Sequence, residues 1–132
     1  MGWQDEIIRL QDFLEAYYLG QETSLSPVEQ ALHPAFTYAG PNGETADRET
    51  TLEMIREGHD HTAQLRIVTS NHTLLHETPE VIVAGYVERH ELSGGDNERL
   101  CTVIFVVDQQ APNGVRWLRT HESWIRRSSD EG

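Results

Sequence analysis

The chain has 132 residues, of which 22 are acidic and 10 are basic, so its formal net charge is -12 at pH 7. Every basic residue is an arginine, because the sequence contains no lysine. A surface of this charge repels nucleic acid and anionic membranes, and we expect neither as a partner.

The length and the apolar content indicate one soluble domain. We assign residues 1–127 to this domain and residues 128–132 to a flexible tail. The sequence has neither an apolar run of about 18 residues nor a start like a signal peptide, so the expected location is the cytoplasm. The single Cys101 excludes an internal disulfide and agrees with that location. The lysine-free surface fits adaptation to high salt and, equally, an ordinary acidic protein.

Two helices are predicted at the start of the chain. The first runs from about Gln4 to Leu19, with Gly20 as its stop. The second begins at residues 26–29, where a serine N-cap, a proline and a returning glutamate form a capping box, and His33-Pro34 ends it. The first helix has apolar side chains at three- and four-residue steps on one face: Trp3, Ile7, Leu10, Leu14 and Tyr17.

A short strand and a third helix follow. The strand covers Ala35 to Ala39 and leads into a turn at residues 40–43. Asp47 is the expected cap of the third helix, and Gly58 is its expected stop. This helix should direct apolar side chains inward, namely Leu52, Ile55 and Met54.

The second half of the chain predicts four long strands rich in β-branched and aromatic residues. Short connections make neighbouring strands antiparallel, and strands of this length twist and curl. We therefore expect an α+β fold in which three N-terminal helices pack on the concave face of a strongly curved, mainly antiparallel sheet. The predicted strands are Leu65 to Glu77, Glu80 to Leu92, Glu98 to Asp108 and Val115 to Ile125.

Several stretches of the chain resemble the nuclear transport factor 2-like superfamily, whose fold is cystatin-like. They are Phe36-Thr37-Tyr38, residues 43–49, residues 55–57 and the late alternation that includes Trp117 and His121. Within the superfamily, the sequence is most similar to the SnoaL-like, polyketide-cyclase-like group. The resemblance implies a cone-shaped half-barrel that encloses a pocket, and a homodimer formed through the outer face of the sheet.

The catalytic residues of ketosteroid isomerases, which resemble this chain in plan, are not found here. By position, the catalytic base falls at Gly40, which has no side chain. The tyrosine position falls near Phe13, with Tyr17 one turn further on, and the late aspartate falls around Val103 or Ile104. We therefore do not expect steroid isomerisation by that route.

Histidine chemistry remains, because a histidine in a dry pocket can move a proton near neutral pH. The candidates are His72, His90 and His121, on three different strands. Alternation on the last strand puts Leu118, Thr120, Glu122 and Trp124 on one face and Trp117, Arg119, His121 and Ser123 on the other.

The alternation does not decide which of these two faces is concave. We place the pocket on the second face, because it combines a cation, a proton carrier and a hydroxyl. His121 is then the proton carrier, with Arg119 or Tyr86 as the donor to an oxyanion. In the alternative interpretation, Arg119 and His121 satisfy carboxylates at a dimer interface or on the surface.

Aromatic and polar residues at element-facing positions are the candidates for substrate binding, although the same positions suit ordinary core packing. On the second long strand, Tyr86 and His90 share a face with Glu88. These side chains form either an acid–base group with shifted pKa values or a solvated strand end. The candidate set is Tyr17, Phe36, Tyr38, Met54, Tyr86, His90 and Ser123.

Metal and cofactor sites are not expected. His59 and His61 have no third ligand at a suitable spacing, and His72 and His76 lie about 13 Å apart on a strand at roughly 3.3 Å per residue. Cys101 lies among apolar residues and reads as a small buried hydrophobe.

Two functions remain open from the sequence. The first is a cofactor-independent acid–base lyase, isomerase or cyclase that acts on a small, largely apolar substrate. The second is a ligand-binding or dimerisation module without chemistry, since the superfamily it resembles also contains transport and oligomerisation domains.

Overall fold

Three helices and six strands make up the computed structural model of the protein, which describes residues 2–127. The predicted tail at residues 128–132 lies outside the described residues. The helices are α1 Trp3–Tyr18, α2 Ser26–Ala31 and α3 Arg48–Glu57. The strands are β1 Leu32–Ala39, β2 Thr45–Asp47, β3 Leu65–Glu77, β4 Val81–Leu92, β5 Gly95–Val107 and β6 Val115–Arg126.

The six strands form one sheet in the order β2-β1-β6-β5-β4-β3. The four long strands pair as successive antiparallel hairpins, as predicted. One pairing is parallel, between β1 and β6, and it joins the first half of the chain to the last strand. The predicted α+β class and the mainly antiparallel sheet are confirmed.

The predicted helix ends agree with the structure for the C-terminus of α1 and the N-terminus of α3, but not for the N-terminus of α2. Gly20 follows α1 with a φ of 80°, and the Asp47 side chain accepts a hydrogen bond from the Thr50 amide at 2.9 Å at the start of α3. The predicted capping box of α2 is wrong. Leu25 is the N-cap residue and makes no side-chain hydrogen bond, so Ser26 lies one position further inside the helix than expected.

Two strands begin three residues earlier than predicted, and one strand was not predicted. β1 begins at Leu32, ahead of Pro34, and its register against β6 shifts between Leu32 and Thr37, where the proline has no amide hydrogen to donate. β2 is a three-residue strand that the sequence did not indicate. β5 begins at Gly95, which pairs with Leu92 and shortens the hairpin loop to two residues.

One face of the sheet packs against the helices and forms the core. On β4, every second residue from Ile82 to Glu88 is buried, including Ala84 and Tyr86. Ile7 of α1 is fully buried in the same hydrophobic cluster, and Phe105 meets Trp117 edge to face with ring centroids 4.9 Å apart. We call this side the helix-covered face and the opposite side the outer face. Among residues 2–127, no helix is long and apolar enough to cross a membrane.

Candidate functional site

An irregularity in β6 decides which of its side chains reach the helix-covered face. Ile104 pairs with Arg119, whereas the next residue, Phe105, pairs with Trp117, so Leu118 is an extra residue on β6. The alternation therefore reverses after Trp117. Beyond the bulge, Thr120 and Glu122 are buried on the helix-covered face, while His121 and Ser123 are exposed.

This geometry corrects the expected pocket face. Trp117 lines the cavity, but Arg119, His121 and Ser123 do not belong to its wall. Arg119 instead donates to the Thr37 hydroxyl at 2.8 Å, between neighbouring strands. Because His121 is solvent-exposed, the interpretation of His121 as a sheltered proton carrier is wrong.

A cavity of about 240 Å³ lies between the helices and the helix-covered face. Its mouth includes Met54, which is 45% exposed. Much of its wall is apolar, with Leu10, Leu14, Phe36, Ile55, Ile67 and Trp117. Polar side chains from three adjacent strands also line it, namely Glu88, His90, Arg99, Thr120 and Glu122.

Glu122 accepts two hydrogen bonds at one carboxylate oxygen. The Tyr38 hydroxyl donates to Oε1 at 2.9 Å, and Nη1 of Arg99 donates to the same atom at 3.0 Å. The Arg99 guanidinium also donates to Asn97 Oδ1 at 3.0 Å and lies 4.8 Å from the ring centroid of Trp124. These contacts fix Arg99 against Glu122 at the cavity wall.

Glu88 is only half satisfied. Its Oε2 is paired with His90 Nε2 at 2.5 Å. Its Oε1 is buried and has no hydrogen-bond partner within the part of the chain that the structure describes. Glu88 is 4% exposed and lines the cavity, so an unpaired acceptor is present in a largely apolar site.

Burial sets the protonation of the groups around this carboxylate. Desolvation raises the pKa of Glu122, the nearby charge of Glu88 raises it further, and Arg99 opposes both. Desolvation also raises the pKa of the phenols of Tyr18 and Tyr38. Both phenols therefore remain protonated hydrogen-bond donors over the physiological pH range.

Arg99 keeps its charge in spite of its burial. Desolvation lowers the pKa of the guanidinium, but the charges of Glu122 and Glu88 raise it by more, and the net direction is upward. The cavity wall therefore contains two carboxylates, one fixed cation and the imidazole of His90. Such a group can hold a proton and pass it to a bound molecule.

The structure places four of the predicted substrate-binding residues at the cavity wall: Phe36, Tyr38, Met54 and His90. Contact of these four with a ligand stays a prediction. Tyr17 packs instead against Phe13 and His59, and Tyr86 stacks on His72 with centroids 6.2 Å apart. Neither tyrosine belongs to the wall. Desolvation lowers the pKa of His72, which donates to or accepts from the Thr69 hydroxyl at 2.9 Å.

The sequence analysis considered Glu88 with Tyr86 and His90 as an acid–base group but left it out of the candidate set, and it did not consider Arg99 or Glu122 as site residues. Glu88 and Arg99 each lie on a long strand, an even number of residues from apolar residues of the buried face. This alternation was the sequence pattern that could have identified them. A charged side chain at a core-facing position is unusual unless it is paired or functional. For Glu122, the bulge at Leu118 hid the signal, because it shifts the alternation by one residue.

Three potential metal donors come together beside the cavity. A carboxylate oxygen of Glu88, one of Glu122 and Sγ of Cys101 all lie within 4.8 Å of one another. Burial raises the pKa of the Cys101 thiol, which disfavours the thiolate that a metal needs. Arg99 also donates a hydrogen bond to Glu122, which leaves this carboxylate less available to a metal. The three groups are therefore better suited to holding a proton than to binding a divalent cation.

Comparisons with known proteins identify the fold. A scan against protein-family models finds no match, and no curated protein matches the sequence. An NTF2-like protein of unknown function from Pseudomonas aeruginosa has a TM-score of 0.85 at 20% identity, covering 92% of this chain and 97% of that chain. The CaMKII hub of S. rosetta has a TM-score of 0.72 at 12% identity, covering 92% and 95%.

An uncharacterised protein with a cystatin-like fold from Caulobacter vibrioides has a TM-score of 0.67 at 10% identity, covering 93% of this chain and 89% of that chain. The chain thus has the nuclear transport factor 2-like, cystatin-like fold, and the predicted superfamily resemblance is confirmed at the level of fold. Assignment to the SnoaL-like group within this fold stays a prediction.

Proposed function

We propose that this protein binds a small, largely apolar molecule in the cavity and transfers a proton on it through His90 and Glu88. The observation that carries the proposal is the His90–Glu88 pair in the wall of a mainly apolar cavity. Glu88 is buried with one carboxylate oxygen unpaired within residues 2–127, and His90 is half-buried beside it. The proposed class is a cofactor-independent acid–base lyase, isomerase or cyclase.

The size of the cavity supports a small ligand. An apolar cavity of roughly 150 Å³ is large enough to hold benzene. The volume of about 240 Å³ therefore suits one ring with a substituent. Apolar walls with a few convergent polar groups are the usual composition of a small-molecule site.

The chemistry follows from the two hydrogen-bonded groups. Glu88 accepts at Oε2 from His90 and so orients the imidazole as a general base. On a bound carbonyl compound, His90 would take a proton from the carbon beside the carbonyl. The electron pair left behind would form an enolate. The neutral Tyr38 hydroxyl, which donates its one proton to Glu122 in the free protein, would turn from Glu122 and donate to the enolate oxygen instead.

Hydrogen–deuterium exchange on small cyclic ketones in heavy water tests this proposal. We expect the protein to accelerate exchange of the α-protons, as followed by NMR, and His90→Gln to abolish the acceleration. His76→Gln is the matched control, because His76 is exposed on β3 and does not line the cavity. Ketones that bind in the cavity without faster exchange would remove the catalytic part of the proposal.

Ligand binding is tested separately by filling the cavity. Leu14→Trp places a large ring at the wall, whereas Ile8→Trp places it at a 39% exposed position of the same helix. We expect Leu14→Trp to abolish ketone binding and Ile8→Trp to preserve it. Equal binding by both variants would show that the cavity is not the binding site.

Self-association through the outer face is a second candidate, favoured by a specific apolar patch. Leu100 on β5 is 52% exposed and Ile125 on β6 is 53% exposed. Leu100 pairs with Ser123, two residues before Ile125, and Ile125 is an extra residue on β6 between the Arg99–Trp124 and Glu98–Arg126 pairs. Oligomeric hub domains are among the structural neighbours, which fits self-association.

Sedimentation velocity tests the association. A homodimer through this patch should dissociate in Leu100→Glu combined with Ile125→Glu. Ile8→Glu, at an exposed apolar position of α1, should leave the mass unchanged. A wild-type protein that sediments as a monomer at high concentration would remove this candidate.

A further inference from the structure

The unpaired oxygen of Glu88 specifies what a ligand of the cavity must supply. Oε1 is buried and accepts from no donor among residues 2–127. Leaving such an acceptor unpaired is unfavourable, and more so when it is charged. The missing group is therefore a hydrogen-bond donor, since an aldehyde, ether or carboxylate oxygen offers the carboxylate nothing.

The charges around Glu88 indicate that the donor group of the ligand is a cation. The cation of Arg99 donates to Glu122 and Asn97 through its two terminal nitrogens. These two nitrogens are thus already engaged, while Nε is buried and has no partner among residues 2–127. Two carboxylates share this part of the wall with one fixed cation. A charged donor forms a shorter and stronger hydrogen bond to a carboxylate than a neutral donor does. A ligand anion would meet the repulsion of both glutamates.

The rest of the cavity agrees with a cationic, partly apolar ligand. Tyr18, Phe36 and Tyr38 contribute aromatic rings to the wall, and ring faces attract ammonium groups. Leu14 and Ile67 provide apolar surface for the remainder of the molecule. The net charge of -12 draws cations towards the protein and disfavours anionic ligands.

We propose that the cavity is selective for a small apolar amine in its protonated form, whose ammonium group donates to Oε1 of Glu88. The inference rests on the proposed function, in that it requires the cavity to bind a ligand. It adds the chemical class of that ligand. It holds whether or not His90 then moves a proton on the bound molecule.

Isothermal titration calorimetry with four probes of nearly equal size tests the inference. The probes are benzylamine, benzyl alcohol, toluene and benzoate, at neutral pH and moderate salt. We expect benzylamine to bind about tenfold more tightly than benzyl alcohol, which corresponds to the gain from a charged donor. Toluene should bind weakly, and benzoate should not bind.

Two variants on β4 distinguish a direct contact between the ligand and Glu88 from the attraction of a cation to the net negative charge of the protein. Glu88→Gln removes the carboxylate that lines the cavity, and Glu91→Gln removes one from the same strand outside the cavity wall. Both changes alter the net charge equally. Glu88→Gln should weaken benzylamine about tenfold and change benzyl alcohol little, whereas Glu91→Gln should leave both affinities at their wild-type values.

The outcomes distinguish the inference from the function on which it rests. If benzyl alcohol or toluene binds the wild-type protein as tightly as benzylamine does, the cavity binds ligands but the amine class is wrong. Equal loss of benzylamine in the two variants would also overturn the direct contact with Glu88. If none of the four probes binds, the inference and the small-molecule function both fail.

Discussion

The indole of Trp117 donates a hydrogen bond from Nε1 to Oε2 of Glu6 at 2.8 Å, across 111 residues of sequence. Glu6 is 0% exposed and Trp117 is 2% exposed. Arg9 donates to both Glu6 oxygens at 2.9 and 2.8 Å, and Asn113 donates to Oε1 at 2.9 Å. This buried carboxylate fixes the first turn of α1 to β6 and so holds the helix over the cavity.

Replacing Glu6 should therefore weaken the fold strongly. Glu6→Ala leaves the buried indole N–H of Trp117 and the half-buried amide of Asn113 unpaired, and we expect a loss of about 1–3 kcal/mol in the free energy of unfolding. Urea denaturation measures this loss. Asp12→Asn, on an exposed part of the same helix, is the control and should change stability by less than about 0.5 kcal/mol. Equal midpoints for the two variants would contradict the structural role of Glu6.

Arg99 and Glu122 should be energetically coupled, because their side chains are only 14% and 9% exposed and lie 3.0 Å apart. Arg99→Met leaves a buried carboxylate without its cation and should cost about 3–5 kcal/mol. In the double variant with Glu122→Gln, that charge is absent. A double-mutant cycle by urea denaturation should give a coupling energy of about 0.5–3 kcal/mol. Additive effects would show that the pair is not coupled.

Glu122 should make stability depend on pH in an unusual direction. Its pKa is raised by burial and by Glu88, so the folded state holds its proton at a pH where the unfolded state has lost it. Its contribution is fully present below the ordinary glutamate pKa of about 4.3 and is lost as pH rises through the raised value.

Glu122→Gln imitates the protonated form and can still accept from Tyr38 and Arg99. The stability of this variant relative to wild type should therefore increase between about pH 4.3 and neutrality, as measured by urea denaturation across that range. Glu53→Gln, on the exposed side of α3, should show no such trend. A relative stability of Glu122→Gln that falls with rising pH would reverse the sign and refute the argument.

Alanine substitutions at two glycines with nearly the same φ angle distinguish the cost of backbone strain from the cost of a steric clash. Gly20 has a φ of 80° and Gly114 a φ of 79°. A side chain at Gly114 meets nothing within 4 Å, whereas a Cβ at Gly20 would lie 2.5 Å from Oδ1 of Asp60. Gly114→Ala should cost about 1–2 kcal/mol from the backbone alone. Gly20→Ala should cost more by thermal unfolding, and the reverse order would contradict the contact with Asp60.

The long strands and the amphipathic first helix could be read from the sequence because their signals are local. Residues such as Ile7, Leu10 and Tyr17 recur at helical spacing, and all three are buried. The Asp47 cap and the Gly20 stop also act within one turn of chain. By contrast, β2 spans only three residues and forms against β1 through tertiary pairing, which no local pattern announces.

The candidate site was predicted only in part. Phe36, Tyr38, Met54 and His90 were selected from their faces, and all four line the cavity. The expected positions of Arg119, His121 and Ser123 were wrong, because strict alternation takes no account of a bulge. The extra residue at Leu118 turns Glu122 inward and His121 outward. The bulge depends on how β6 pairs with β5, so the residues of β6 alone do not show where the alternation of its side chains reverses.

The sequence by itself determined the order of the three helices and five of the strands, the mainly antiparallel sheet and the strongly negative net charge, since these follow from composition and short-range periodicity. The tertiary structure alone decided that Glu88, Arg99 and Glu122 meet. Each comes from a different strand, and their contact depends on the register of β4, β5 and β6. Burial then contributes most to the chemistry of the group, because removing water from around a carboxylate raises its proton affinity.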